Sequence, residues 1–280
     1  MPEPLALPAG DSLTFIGTAT TLLRLGPFTV LTDPNFLHRG QWCYFGQGLF
    51  SRRRTEPAAQ LRELPPLDAV VLSHLHGDHF DRVARRDLAA DVPLLTTAHA
   101  AHRLSRRGFR ATVALQTWSS ETLTDGDASL TVTAVPAQHA PGPLARVLPP
   151  VMGSIWTYTA SPDTRPLRLY VSGDTVMYHE LHQIRERYPD LDLAIVHLGG
   201  TRVLGVLVTM DDRQGVRLLE LLRPAHAVPV HFDDYANFTS PVSNFLQAVA
   251  EQKPATAVRM LRRGESLRLA DLRHEPSHRR

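Results

Sequence analysis

The stretch LSHLHGDHFD, residues 72–81, sets His74, His76, Asp78 and His79 within six positions of one another. The run before it, DAVVLS, is apolar and β-branched, which predicts a strand that delivers the chain into this turn. While the strand persists, His74 and His76 project to the same side. Gly77 is expected to permit a sharp bend that returns Asp78 and His79 toward them. Burying such groups without partners costs about 2–7 kcal/mol each. A divalent cation removes that cost by taking imidazole nitrogens and a carboxylate as ligands. One histidine here would read as a solvated turn. Three histidines and an aspartate directly behind an apolar strand read as a metal site.

One short turn cannot surround an ion, so other segments must contribute. His139 follows LTVTAVPAQ, Asp174 follows LRLYVSG and His231 follows HAVPV. Each stands where a strand meets a loop, the end at which α/β sheets place their sites. With the turn they make seven ligands, enough for two ions sharing a carboxylate. Asp33, ending FTVLTD, is a candidate to fix a ligand histidine through its other ring nitrogen, or else a turn-forming Asp-Pro. His197 in VHLGG either faces the substrate or is a satisfied core histidine. Asp233 and Tyr235, just past His231, are further candidates. His99 and His102 lack a third ligand nearby and read as a solvated helix face. The run Arg52, Arg53, Arg54 would attract an anion, or lie in a solvated loop. Cys43 has no evident histidine partner and is not a nucleophile.

These residues need a scaffold. Short β-rich runs (SLTFIG, FTVLTD, DAVVLS, SLTVTAV, LRLYVSG, LDLAIVHL, HAVPVH) alternate with helical patterns such as FDRVARRDLAA, AAHRLSRRG, HELHQIRERYP, MDDRQGVRLLELLRP and SPVSNFLQAVAEQ. Asp211 and Ser240 read as N-caps of the last two. The alternation argues for a layered α/β protein. No Gly/Ser linker interrupts it, so one domain over 1–280 is expected, with 272–280 as a frayed tail. FTVLTDP and LRLYVSGDT look alike, each a strand ending on an aspartate, a hint of internal duplication. Residues 34–58 and 140–153 read as long loops whose aromatic and aliphatic side chains cover something.

Composition narrows the function. The chain has 280 residues, 43% hydrophobic and 21% charged, with a formal net charge of +2. No broad basic excess calls for nucleic acid, and the positive charge is nearly all arginine, Lys253 being the only lysine. A single cysteine cannot form an internal disulfide, which suits a reducing compartment. The first residues carry no signal-peptide pattern, and no apolar run reaches the roughly 20 residues of a membrane span. A soluble, cytoplasmic protein is expected, acting on a small molecule; homo-oligomers are compatible with it.

The ordered set His74, His76, Asp78, His79, His139, Asp174 and His231 resembles the signature of the metallo-β-lactamase superfamily. The resemblance runs from FIGTATTLLRLG to VPVHFDDY. It implies a four-layer αββα sandwich with metals at one rim. It also implies that His74, His76 and His139 hold one ion, that Asp78, His79 and His231 hold a second, and that Asp174 bridges them. Zinc is the expected metal, with manganese and iron also suited to these ligands. A hydroxide held between the ions would be the nucleophile, with Asp78 orienting it as the catalytic residue. The flanking text (TVLTDPNF, SRRRTEPA, LPPLDAVVLSHLHGDHFD, VPAQH) is similar to the branch containing N-acyl phosphatidylethanolamine phospholipase D and ascorbate-6-phosphate lactonase. In FIGTAT, Thr18 stands where that branch often has histidine. The function implied is a dinuclear metal-dependent hydrolase, acting on a phosphodiester with an apolar substituent. A lactone or carboxylic-ester hydrolase is the alternative within the class. A non-catalytic metal or ligand sensor is the alternative outside it.

Overall fold

The computed structural model describes residues 5–46 and 48–273. In chain order the first half runs β1 (Ser12–Gly17), β2 (Thr20–Leu25), β3 (Phe28–Thr32), β4 (Trp42–Gly46), β5 (Leu49–Arg52), β6 (Ala69–Leu72), α1 (Arg82–Asp87), β7 (Leu94–Thr97), α2 (Ala98–Ser105) and β8 (Thr112–Leu115). The second runs β9 (Ser120–Asp125), β10 (Ala128–Val135), β11 (Gly153–Thr159), β12 (Leu167–Val171), α3 (His182–Arg187), β13 (Leu193–His197), β14 (Arg202–Val203), β15 (Val206–Leu207), α4 (Asp212–Leu222), β16 (His226–Val230), α5 (Val242–Gln252) and β17 (Ala257–Val258). β18 (Ser266–Arg268) then returns to the first half.

Two seven-stranded sheets result, ordered β18-β1-β2-β3-β6-β7-β8 and β17-β16-β13-β12-β11-β10-β9. Each begins as an antiparallel meander and ends in parallel strands. The change falls at β3, antiparallel to β2 and parallel to β6, and at β12, antiparallel to β11 and parallel to β13. These two strands carry the look-alike sequences, so the repeated text marks equivalent positions in two similar sheets.

Side-chain alternation explains the layering. In the first sheet Leu23, Leu25, Val30 and Val71 enter a core shared with the second sheet. Their neighbours Leu22, Leu31, Val70 and Leu72 enter another core with Val83, Ala84, Ala100 and Leu104 of α1 and α2. A strand with both faces covered reads as a continuous apolar run, which is what DAVVLS is. On the other side Ile184 of α3, Val216 and Leu219 of α4 and Phe245 of α5 pack against the second sheet. Each such side chain contributes about 1.5–3 kcal/mol when fully buried. The layers are therefore helices, sheet, sheet, helices, as expected.

Three local expectations change. Asp211 caps α4, its carboxylate accepting from Gln214 N (3.0 Å), but α5 is preceded by Pro241 as its N-cap. Ser240 instead accepts from Asp212 N (3.1 Å) and so ties the two helix starts together. The segment 34–58 is not all loop, since it contains the β4–β5 hairpin. Leu272 is buried in the main core within a short 3-10 turn, so the chain stays packed to that point. Residues 274–280 of the expected tail lie outside the described residues.

Candidate metal centre

All the candidate ligands arrive from C-terminal strand ends at one rim. The motif turn follows β6, and α1 starts right after it, capped by Asp81, which accepts from Val83 N and Ala84 N. His139 follows β10, Asp174 follows β12, and His231 follows β16. Gly77 is not in the left-handed region that the expected bend would need. It is glycine because the β4–β5 hairpin lies on it. Its N–H donates to Tyr44 O (3.1 Å), and an added Cβ would sit 3.0 Å from Cys43 Sγ and closer still to Tyr44 O. Asp33 (φ 36°), Thr18 (φ 52°) and His231 (φ 61°) do occupy left-handed backbone. Such residues cost about 1–3 kcal/mol each and persist where their surroundings over-determine them.

The seven side chains form two adjoining groups, His74/His76/His139 and Asp78/His79/Asp174/His231, with donor atoms within 4.8 Å of one another in each. In the first, His139 Nδ1–H donates to Val208 O (2.7 Å), so its Nε2 carries a lone pair. Ser73 Oγ donates to Asp33 (3.0 Å) and accepts from His74 Nδ1 (3.0 Å), which leaves a lone pair on His74 Nε2 as well. Both lone pairs point at His76 Nδ1, at 3.0 and 3.2 Å. A single proton on His76 satisfies one of them at most. Burial, with His79, His76 and His139 alongside, holds His74 well below the ordinary imidazole value, and burial with His139 pushes His76 down to about 3. Burial also lowers His139. Three neutral imidazoles with converging lone pairs are a ready ligand face.

In the second group His231 Nδ1–H donates to Leu198 O (3.0 Å), and Nε2 faces Asp78 Oδ2 at 3.1 Å. His79 Nδ1 meets Asp33 Oδ2 (3.2 Å), and Nε2 lies 3.3 Å from Asp174. Burial opposes charge on His79, but Asp174, Asp78 and Asp33 more than offset it and hold the group well above its usual value. His231 is raised in the same way, against burial, by Asp174 and Asp78. Asp174 is held well below the carboxylate range, despite burial, by His231 and His79. The cluster thus demands positive charge among its carboxylates. Asp78 Oδ1, His79 Nε2 and Asp174 Oδ1 are buried with no hydrogen-bond partner, the orphaned atoms a metal ion would satisfy. The residues present fit a pair of divalent ions.

Asp33 lies behind this face, accepting from Ser73 N and Ser73 Oγ and meeting both His79 and His197. His79 and His197 hold it down to about 2 against the opposing effect of burial. His197 faces no cleft: it is fully buried, between Ser172 Oγ (3.2 Å) and Asp33 (3.3 Å), the satisfied core histidine of the two readings. Tyr235 is likewise buried, its hydroxyl donating to Asn35 Oδ1 (3.0 Å), and it reaches neither group. Asp233 pairs with Arg263. Thr18 has a backbone role instead of a substrate role, its carbonyl accepting from His231 N (2.7 Å) while its N–H donates to Asp234 (2.8 Å). Sequence reasoning missed Asp234 and Ser73, whose ordinary residue types gave no signal.

The rim opens into a cleft of about 760 Å³ that His76 lines. One wall is apolar, from Trp42 and Tyr44 of the hairpin and from Val147, Leu148 and Pro149 of the 140–153 segment. Trp42, Tyr44 and Val147 are 55%, 50% and 53% exposed, large apolar groups with one face against the opening. Phe45 instead turns inward onto Tyr235, Met152 is buried, and Cys43 is buried with its thiol pushed up by burial and Asp78. The rest of the lining is largely basic, from Arg82, Arg85, Arg103 and Arg107 of α1, α2 and the turn after it, with Arg146 next to Val147. The 52–54 run is not part of it. Arg53 is buried in an ion pair with Asp234 (3.2 Å), and Arg52 stacks over Trp42.

Two mixed sheets face to face, helices outside, and histidine–aspartate groups at one rim define a class: metallo-β-lactamase-fold proteins with a centre suited to metal ions. Residues 29–232 match the beta-lactamase superfamily domain family, and the chain belongs to it. It is 28% identical to an uncharacterized protein of Mycobacterium tuberculosis over 92% of this chain and 71% of that protein. A metal-dependent hydrolase of Pyrococcus furiosus is 23% identical, over 92% of this chain and 99% of the relative. A solved structure from Veillonella parvula, titled "a possible metal-dependent hydrolase", superposes with a TM-score of 0.77 at 20% identity, covering 93% of this chain and all of that one. Family and fold make this chain a metal-dependent hydrolase of the metallo-β-lactamase fold.

Proposed function

We propose that the protein hydrolyses a phosphodiester carrying an apolar substituent, with two divalent ions held by His74/His76/His139 and by Asp78/His79/His231, and with Asp174 between them. The observation that carries this reading is the juxtaposition of seven convergent donor atoms with a cleft lined both by exposed apolar side chains and by arginines. The ions would supply an activated water and polarise the phosphoryl oxygen. The chain does the rest. Val208 O, Leu198 O, Ser73 and Asp33 fix the ligand rings through their outer nitrogens. Asp78, with one carboxylate oxygen toward the ion, would accept a hydrogen bond from the attacking water with the other and so orient it. Trp42, Tyr44 and Val147 take the apolar substituent. The similarity of the flanking sequence to the phospholipase D-containing branch supports a diester, and the arginine wall favours it over a neutral ester or lactone.

The test is a substrate panel on metal-loaded protein: bis(4-nitrophenyl) phosphate, 4-nitrophenyl acetate and a simple lactone, with metal content measured alongside. Turnover of the diester above the other two, rising with metal content, is expected. Faster ester or lactone turnover would replace the substrate assignment. Full metal loading with no turnover of any of the three would favour a sensor.

A further inference from the structure

The cleft contains five arginines, Arg82, Arg85, Arg103, Arg107 and Arg146, and one acidic residue, Asp81. Asp81 offers them nothing. It accepts from Val83 N, Ala84 N, Phe36 N and Leu37 N, which occupy both of its oxygens. Among the described residues none of the five guanidinium groups has an ion pair or a side-chain hydrogen bond. Arginines nearby that face away from the cleft do: Arg86 pairs with Asp87 and Arg110 with Asp91. Single unpaired arginines occur elsewhere on the surface, Arg106 and Arg213 among them, but here five line one opening. Their spacing is also telling, because Arg82 and Arg85 (i, i+3) share one face of α1. On α2 and the turn after it, His99, Arg103 and Arg107 fall at four-residue intervals. Burial and the closeness of Arg85 and Arg103 lower Arg107, the mark of like charges held together. His99 adds a buried Nδ1 with no partner.

Gathering like charges in a half-enclosed cleft is unfavourable unless an anion joins them, and guanidinium forks match phosphate oxygens bidentately. We propose that this wall is a second anion subsite, which binds a terminal phosphate on the substrate separate from the ester cleaved at the rim. The inference rests on the reaction assigned above and deepens it, since the substrate becomes a small amphiphile with an apolar substituent, a scissile diester and a second, phosphomonoester group. A cleft of about 760 Å³ suits such a molecule. A polynucleotide would also meet arginines, but the exposed Trp42, Tyr44 and Val147 in the same cleft fit an aliphatic or aryl group better.

The experiment uses metal-loaded protein in three forms: wild type, Arg103→Ala/Arg107→Ala, and a control of equal charge change on α4, Arg213→Ala/Arg217→Ala. Inorganic pyrophosphate binding is followed by calorimetry. Two 4-nitrophenyl phosphodiesters, one with a butyl arm and one with a 4-phosphobutyl arm, are followed by kinetics. The cleft variant should bind pyrophosphate at least tenfold more weakly and raise KM for the phosphobutyl diester at least tenfold more than for the butyl diester, with kcat kept. The control should change each by less than twofold. Equal loss in both variants, or equal KM changes for both diesters, overturns the subsite. A single-stranded oligonucleotide that displaces pyrophosphate more effectively than the phosphobutyl diester also overturns it. If neither diester is cleaved but the cleft variant alone loses pyrophosphate, the subsite stands and the reaction assignment falls.

Discussion

Gly77→Ala isolates what the hairpin does for the site. The added methyl would lie 3.0 Å from Cys43 Sγ and 3.2 Å from the Tyr44 carbonyl carbon, with Tyr44 O nearer still. Carbon contacts relax at about 3.5–4.0 Å, so the hairpin must back off by roughly 0.5–1 Å. Crowding of this kind costs about 1–3 kcal/mol. The retreat also stretches the Gly77 N–H to Tyr44 O bond, now 3.1 Å, a loss of about 1 kcal/mol. Together they predict a destabilisation of about 2–4 kcal/mol, or roughly 4–8 °C in Tm for a chain of this size. Because β4 carries Trp42 and Tyr44, KM for diesters with long apolar arms should rise more than KM for bis(4-nitrophenyl) phosphate. Thermal melts beside kinetics on both substrates give the answer. A Gly77→Ala protein with the wild-type melt and unchanged KM values would show that the hairpin yields freely and is not set by this contact.

Further outcomes follow from the ligand groups and their supports. Asp174→Ala should lower the occupancy of both ions on dialysis, read by elemental analysis; full retention of both would remove Asp174 from the bridge. Asp78→Ala should cut turnover by about 10²-fold or more while the His74/His76/His139 group keeps its ion. Asp33→Asn should weaken metal affinity by about 10–100-fold, because His79 loses the carboxylate that fixes its ring, and a chelator titration measures this. Asp234→Asn leaves Arg53 buried beside a neutral group, which should cost about 3–5 kcal/mol in denaturant unfolding. Asp234 is held down to about 2 by Arg53 and Arg263 against the effect of burial. Its folded value lies below its unfolded one, so its stabilisation is complete above about pH 4 and lost toward pH 2. The gap between wild type and variant should close over that window.

The gathering of the strand-end candidates at one rim was legible because each is a strongly solvated residue type placed directly after an apolar run, a conflict that a shared partner resolves. The layering was legible for the same reason: continuous apolar strands such as DAVVLS need cover on both faces. What stayed hidden depended on long-range approach. Gly77 looked like a bend, yet its reason is a carbonyl from a hairpin more than thirty residues earlier in the chain. The hairpin itself was hidden by its irregular pairing between Tyr44 and Gly46. Arg53 was indistinguishable from Arg52 and Arg54 until Asp234 paired with it. The arginines of α1 and α2 gave no signal of their own, and only the neighbouring loops make them the lining of a cleft.

The two ligand groups each draw on both sheets. His74 and His76 come from the first half and His139 from the second; Asp78 and His79 from the first and Asp174 and His231 from the second. An ion gripped by either group is therefore a rivet between two similarly built plates. Each rivet would add about 2.7 kcal/mol to the folded state at a free-metal level a hundred times its dissociation constant. It also fixes an order of events. At about 5–20 residues per second, His231 leaves the ribosome roughly 8–30 s after His79. Over that interval the residues of the motif turn lack the partners that the second plate supplies.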